Sequence, residues 1–278
     1  MIENLKIFGR ILLLDFKQAV LSKNFLLSIV LVAFFYILGS LDSIVECIKY
    51  GSEITVFNMY DMATFSTFSL LVYVLCTLPY ANSFSADYKS NYCRFVVKRS
   101  GKRVYACSKV IITALSGTLC LILGEMIYLV ICSFLGPAID DATLSELSNY
   151  TSTNAYTNIT NSNMLLAGNY IGYFLLKTIN RGLIGSFLSL IALGVSVKIQ
   201  NYFVITASPL LIYYFIQNFT MNFLKLPDFL NIANIFNGNI AVIDSKYTFV
   251  YAVMFALTLS AFIGFFVARG IERKISDE

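Results

Sequence analysis

The sequence predicts an all-α integral membrane protein with six transmembrane helices, and three observations carry that fold class. Of 278 residues, 58% are hydrophobic and only 13% charged, against about one quarter charged in a soluble domain, and the mean hydropathy is +0.73. The apolar residues gather into six charge-poor runs, close to the roughly 20 residues that cross a hydrocarbon core of about 30 Å. The basic residues fall mostly on one side of those runs. A water-soluble fold is excluded on this composition.

Residues 1–22 precede the first run and lack the small-residue cleavage site of a signal peptide. At 100° per residue Glu3, Lys6, Arg10 and Lys17 form one stripe, and Leu5, Phe8, Leu12 and Phe16 another. That is the pattern of an amphipathic helix lying in the headgroup plane; a helix partly packed on protein has the same pattern. Spans are then expected at Phe25–Leu41, Thr64–Tyr80, Val110–Leu135, Leu183–Val197, Tyr202–Phe219 and Thr248–Ala268. The third is interrupted only by Glu125. Before the fourth, Lys177 and Arg181 punctuate the apolar sequence, so Leu165–Asn180 reads as an approach segment near the outer interface.

With the N-terminus inside, 15 of the 20 Lys and Arg residues lie on the cytoplasmic side. The other side holds Lys49, Lys177, Arg181, Lys225 and Lys246. The positive-inside rule therefore puts both termini in the cytoplasm. Residues 136–168 form an expected extracytoplasmic polar loop, with Asp140, Asp141 and Glu146 followed by Ser, Thr and Asn. Asn149 and Asn158 head glycosylation-type triplets there, a match that an Asn/Thr-rich loop also produces by chance. Residues 217–247 interleave Phe223, Leu226, Phe229, Ile235 and Phe236 with polar residues, an amphipathic segment expected in or on the outer leaflet. Small residues form two rows suited to close helix contact: Ala256, Ser260, Gly264 and Ala268, and Gly182, Gly185, Ser186 and Ser189.

The absence of His removes every mechanism that needs an imidazole base or ligand, including the His-dependent intramembrane proteases. Six cysteines, Cys47, Cys76, Cys93, Cys107, Cys120 and Cys132, form no C-x-x-C pair; they read as packing residues, and no metal site is expected. The only Gly-Lys pair, Gly101-Lys102, has Val96 and Arg103 where a phosphate loop needs Gly and Ser/Thr. The chain carries no nucleotide site and is not expected to be an enzyme by itself.

Residues 83–109 are too polar to span and rich in positive charge. They read either as a topology-setting loop attracted to anionic lipid or as a docking helix for a cytoplasmic partner; nucleic acid is a poor fit for charges tied to a bilayer surface. Glu125 is costly inside a span, about 2.5–3.5 kcal/mol on insertion scales. It reads either as part of a translocation path or as a protonated carboxyl bonded between helices, with no evident cation partner in the spans. Lys177 and Arg181 are expected to reach the outer interface, by snorkelling or by contact with headgroups or a peptide or lipid cargo.

An N-terminal interfacial helix, six spans with both ends inside and a basic loop between spans two and three together resemble the permease subunit of an ABC-2 type ABC transporter. The residue-level likeness lies between Phe84 and Lys109. Asp87, Arg94, Ser100-Gly101, Arg103 and Lys109 take places comparable to the family's acidic residue, basic residue, Ser-Pro-like turn, Arg and closing Lys. Ser90 and Asn91 stand near where the family has a Gly-Thr pair. The resemblance implies that this loop, with Asp87, Arg94, Lys98, Arg99, Lys102, Arg103 and Lys109, couples to a separate cytoplasmic ATPase that holds ATP and Mg. It implies a second permease subunit, identical or related, and export of an antimicrobial peptide, toxin, drug or other amphipathic cargo across a bacterial plasma membrane. An ion-coupled secondary transporter or channel of six helices, using Glu125, is the other class the sequence admits.

Overall fold

The structure is a computed structural model that describes residues 2–50, 54–145, 161–220, 227–237 and 247–276. Among these residues it is helical, with no strand. The chain opens with α1 (Ile2–Val20) and α2 (Lys23–Gly39), joined at a bend of 51°. Ser22 sets that bend: its backbone is extended, and its side chain accepts the Phe25 N–H at 3.0 Å as an N-cap. α3 (Leu41–Tyr50), α4 (Val56–Phe65) and α5 (Phe68–Leu75) follow. Two short helices, α6 (Ser83–Lys89) and α7 (Tyr92–Ser100), lead into α8 (Lys102–Ser133), the longest helix. Gly101 separates α7 from α8 at φ +85° and ψ 153°, a region essentially reserved for glycine.

Beyond α9 (Ser162–Leu166), α10 (Tyr170–Gly182) and α11 (Ile184–Lys198) run on through Leu183. They are followed by α12 (Tyr202–Asn218), α13 (Ile232–Asn237) and α14 (Thr248–Ser276).

α8 is the axis of the molecule. α1, α2, α10, α11 and α14 all pack against it, and α11 also lies along α12 and α14. Small residues let the backbones meet. A Cβ added to Gly185 would stand 2.5 Å from the Gly117 carbonyl oxygen, and one on Gly124 would run into Val32 of α2. Ser189 donates to the Thr113 carbonyl at 2.9 Å, and the Ser186 and Ser260 hydroxyls meet at 2.8 Å. The two small-residue rows thus serve packing within one chain. Large apolar side chains on the outer faces, such as Phe34, Val130 and Phe262, are exposed.

Among the described residues three helices are long and apolar enough to cross a membrane: α8, the 29-residue run Tyr170–Lys198, and α14; the bent α1–α2 pair is a fourth if it counts as one crossing. The structure departs from the expected spans in two places. The approach segment before the fourth span is instead the first half of the 29-residue run Tyr170–Lys198. The expected span Thr64–Tyr80 is broken, because Ser66 turns extended and bonds its hydroxyl back to the Ala63 carbonyl at 2.8 Å. α12, Tyr202–Asn218, follows the expected fifth span, and its 17 residues measure about 25 Å at 1.5 Å per residue.

The polar loops are also more closely built in than expected. The Pro137 and Ala138 carbonyls accept the Val56 and Phe57 N–H groups at 2.9 and 3.1 Å, and Ile139 is buried with Leu165 and Tyr173. In the described part of the amphipathic segment Phe229 and Leu230 are exposed, whereas Ile235 and Phe236 join the main core and Asn180 of α10 donates to their carbonyls at 2.9 and 3.3 Å. Glu146, Asn149, Asn158, Phe223, Leu226, Lys225 and Lys246 lie outside the described residues.

Candidate functional site

Two clusters of buried charge sit along α8. The first joins its N-terminal turns to α1 and α6. Lys109 is 1% exposed, and its ammonium lies 2.8 Å from Asp87, 3.3 Å from Asp15 and 2.7 Å from the Tyr80 hydroxyl. Tyr80 donates to Asp15 at 2.6 Å, Ser108 donates to its other oxygen at 2.6 Å, and Tyr105 donates to Asp87 at 2.8 Å. Two carboxylates thus share one lysine, with phenols and a serine completing the hydrogen bonds that make buried charge tolerable. Arg10 and Arg99 line the cleft beside Asp15 and Asp87.

Of the loop residues singled out in the sequence, this cluster draws in Asp87 and Lys109. Both are buried and bonded within the chain. Arg94, Lys98, Arg99, Lys102 and Arg103 are exposed on α7 and the start of α8. Lys89 donates to the Gln200 carbonyl and Lys102 to the Ser276 hydroxyl, each at 2.9 Å. Those bonds bring the α6–α7 pair, the α11–α12 turn and the end of α14 to one end of the bundle. At that same end α1 presents Leu12, Phe16 and Ala19 to Tyr80 and Ile112, which matches the protein-packed alternative for this face of the helix.

The second cluster lies further along α8, where Glu125 is fully buried. Tyr60 of α4 donates to one carboxylate oxygen, and Tyr36 of α2 makes a long contact of 3.5 Å to the other. Arg181 of α10, 1% exposed, stands with its guanidinium carbon 5.8 and 5.7 Å from the same two ring centroids. Arg181 and Glu125 attract each other across these phenols. One turn earlier Lys177 is 4% exposed, paired with Asp61 at 2.9 Å and bonded to the Tyr173 hydroxyl at 3.3 Å. Its ammonium lies over the rings of Phe57, Tyr60 and Tyr173 at 5.5, 4.8 and 5.5 Å, within cation–π range.

Two sequence expectations are corrected here. Lys177 and Arg181 do not reach outward to an interface, because both turn into the bundle, where acids and aromatic rings hold them. Glu125 does have a cation near it, 56 positions along the chain. Two acids, Glu125 and Asp61, thereby balance two bases, Lys177 and Arg181.

Sequence reasoning missed Asp15, Tyr36, Tyr60, Asp61, Tyr80 and Tyr105. For Asp15 a signal exists: it sits among Leu12, Phe16 and Ala19 on the apolar face of α1, where an acid must have a partner. The phenols carry none, since 18 tyrosines are spread through the chain.

Five of the cysteines are buried and Cys107 is exposed, all with free thiols. Among the described residues no three Cys, Asp or Glu side chains gather as a metal site would require.

No protein-family model, curated protein or solved structure matches the chain.

Proposed function

We propose that the chain is the membrane-embedded permease subunit of an ABC-2 type exporter, driven by a separate cytoplasmic ATPase that carries ATP and Mg. The observation that carries this reading is the exposed basic surface of α7 and early α8, which follows α6, the short helix that the buried Asp15–Lys109–Asp87 cluster fastens to the base of α8. Through the Asp87–Lys109 pair a displacement of α6 is passed to α8, which is what a coupling element requires. The gathering of basic segments from three parts of the chain at one end supports a cytoplasmic face there. In this reading the chain crosses six times, with α5 and α12 as shorter spanning elements, and works beside a second permease copy or relative in a bacterial plasma membrane. The cargo class, an amphipathic peptide, toxin or drug, follows from the resemblance alone.

The test is purification of the tagged chain in mild detergent. A stoichiometric soluble ATPase is expected to co-purify, and Arg99→Glu/Arg103→Glu is expected to cut its recovery at least about tenfold while the chain still inserts; tenfold is about 1.4 kcal/mol, within reach of two lost charge contacts. Recovery of the chain alone overturns the reading.

The buried Glu125–Arg181 and Asp61–Lys177 pairs favour a second reading, an ion-coupled transporter. It predicts cargo uptake by liposomes holding this chain alone under a proton or sodium gradient, and no uptake in Glu125→Gln.

A further inference from the structure

We propose that the cleft at the break between α4 and α5 binds a neutral, hydroxyl-rich group of the kind a sugar ring presents. The cleft has a volume of about 280 Å³ and lies between that break and α12. Its wall carries Ser66, Thr67, Ser69, Tyr73, Tyr213 and Gln217, and no charged side chain lines it among the described residues. Thr64 and Ser66 donate their hydroxyl protons to the Asp61 and Ala63 carbonyls at 2.8 Å, so their oxygens serve as acceptors. Thr67, Ser69 and Gln217 bring both donors and acceptors. The rings of Phe65 and Tyr214, 70% and 56% exposed, border the same space.

Bifunctional hydrogen-bonding groups beside aromatic faces suit a ligand with hydroxyls on its rim and C–H faces above and below. A charged ligand finds no counter-ion here, and a purely apolar one would cover hydroxyls without pairing them, which is costly. The volume is at the small end of ligand pockets, about 300–1,000 Å³, enough for one ring and too little for an extended chain.

The location strengthens the case. On the six-span reading proposed above the break lies within a span, where irregular backbone is tolerated if it is buried in protein or lines a polar cavity, and interrupted helices are where transporters build their binding sites. At the inner wall the buried Tyr73 and Tyr213 rings meet edge to face with centroids 4.9 Å apart, and Tyr73 lies within electrostatic reach of Arg181 and Glu125.

The sugar ring has two sources, a free sugar or the headgroup of a neutral glycolipid. The full chain, purified in a sugar-free zwitterionic detergent, is titrated calorimetrically with glucose; in parallel it is placed in phosphatidylcholine nanodiscs with and without monoglucosyl diacylglycerol, and bound glycolipid is counted. Saturable one-to-one binding is expected for at least one probe, weakened about thirtyfold by Ser69→Ala/Gln217→Leu at an unchanged unfolding midpoint, as two lost hydrogen bonds of about 1 kcal/mol each imply. Glycolipid binding alone assigns a headgroup, and glucose binding assigns a free sugar. If the double variant lowers the midpoint, Gln217→Leu alone is read in the same way, with an expected loss of about fivefold. No saturable binding to either probe, or binding that these substitutions leave unchanged, overturns the proposal. The measurement uses the isolated chain, so its failure is separate from failure of the ATPase partnership.

Discussion

At the base of α8 the buried charges touch, whereas further along the same helix they are held apart by phenol rings. Lys109 reaches both Asp15 and Asp87 directly. Glu125 is instead contacted by the Tyr60 and Tyr36 hydroxyls, with Arg181 seated over the same two rings. The sites are 16 positions apart on one helix, about 24 Å along its axis. A direct cluster fixes the position of three elements and transmits force with little give. A phenol-spaced cluster can change its bonding by rotation of a hydroxyl, without moving a helix. The first is suited to anchoring and the second to responding.

The largest effect is expected where charges touch. Lys109→Met leaves Asp15 and Asp87 buried side by side without their cation, and breaking such a buried pair costs about 3–5 kcal/mol. Unfolding of the variant in detergent should show that loss. The triple variant Lys109→Met/Asp15→Asn/Asp87→Asn should regain at least half of it, because no charge is then stranded. A triple variant as unstable as the single one would mean that shape, not charge, holds α1 and α6 to α8.

The phenol-spaced cluster should respond more softly. Glu125→Gln keeps acceptors for Tyr60 and Tyr36, and the cost of about 3 kcal/mol comes from leaving Arg181 without its counter-charge. Arg181→Met should cost a similar amount, and the double variant less than the sum, with a coupling of about 1–3 kcal/mol from a double-mutant cycle. Zero coupling would break the comparison, since the two charges would then not sense each other across the rings.

Much of this was legible in the sequence, and the reasons for the rest are physical. Charge-free runs locate α2, α8, α11 and α14 because a bilayer demands continuous apolar length. The same runs conceal the break at Ser66, since a hydroxyl that bonds back to its own helix does not register as polar. The sequence places Lys177 and Arg181 near the outer interface because the count of basic residues puts them on that side, where long cations snorkel. What turns them inward is Asp61, Glu125 and the rings of Tyr36, Phe57 and Tyr60 from distant parts of the chain, and no local pattern reports such convergence. Asp87 and Lys109 stand out in the sequence only through the family resemblance, and the structure shows them buried and paired with each other.

A smaller effect tests whether α8 must lie close to α11 for the two clusters to stay apart. Gly185→Ala puts a methyl 2.5 Å from the Gly117 carbonyl oxygen. The helices must separate slightly, at about 1–3 kcal/mol for an overpacked contact. The Glu125–Arg181 coupling should fall in this background while the Lys109 effect is unchanged, because α11 follows directly on the helix that holds Arg181. An equal fall at both sites would show that α8 moves as one rigid rod.

The smallest effect belongs to Asp61, and it separates the two halves of the phenol-spaced cluster. Its side chain is 30% exposed, against 3% for its partner Lys177, so solvent already screens part of the attraction and pairs of this kind contribute about 1 kcal/mol or less. Lys177 also keeps the Tyr173 hydroxyl and three ring faces when the carboxylate is gone. Asp61→Asn should therefore lower stability by about 1 kcal/mol at most, and the difference should shrink further in high salt, where Glu125→Gln, buried on all sides, should not change. A loss as large as that of Glu125→Gln would mean that Lys177 depends on Asp61 alone and that the aromatic rings around it carry no share of the charge.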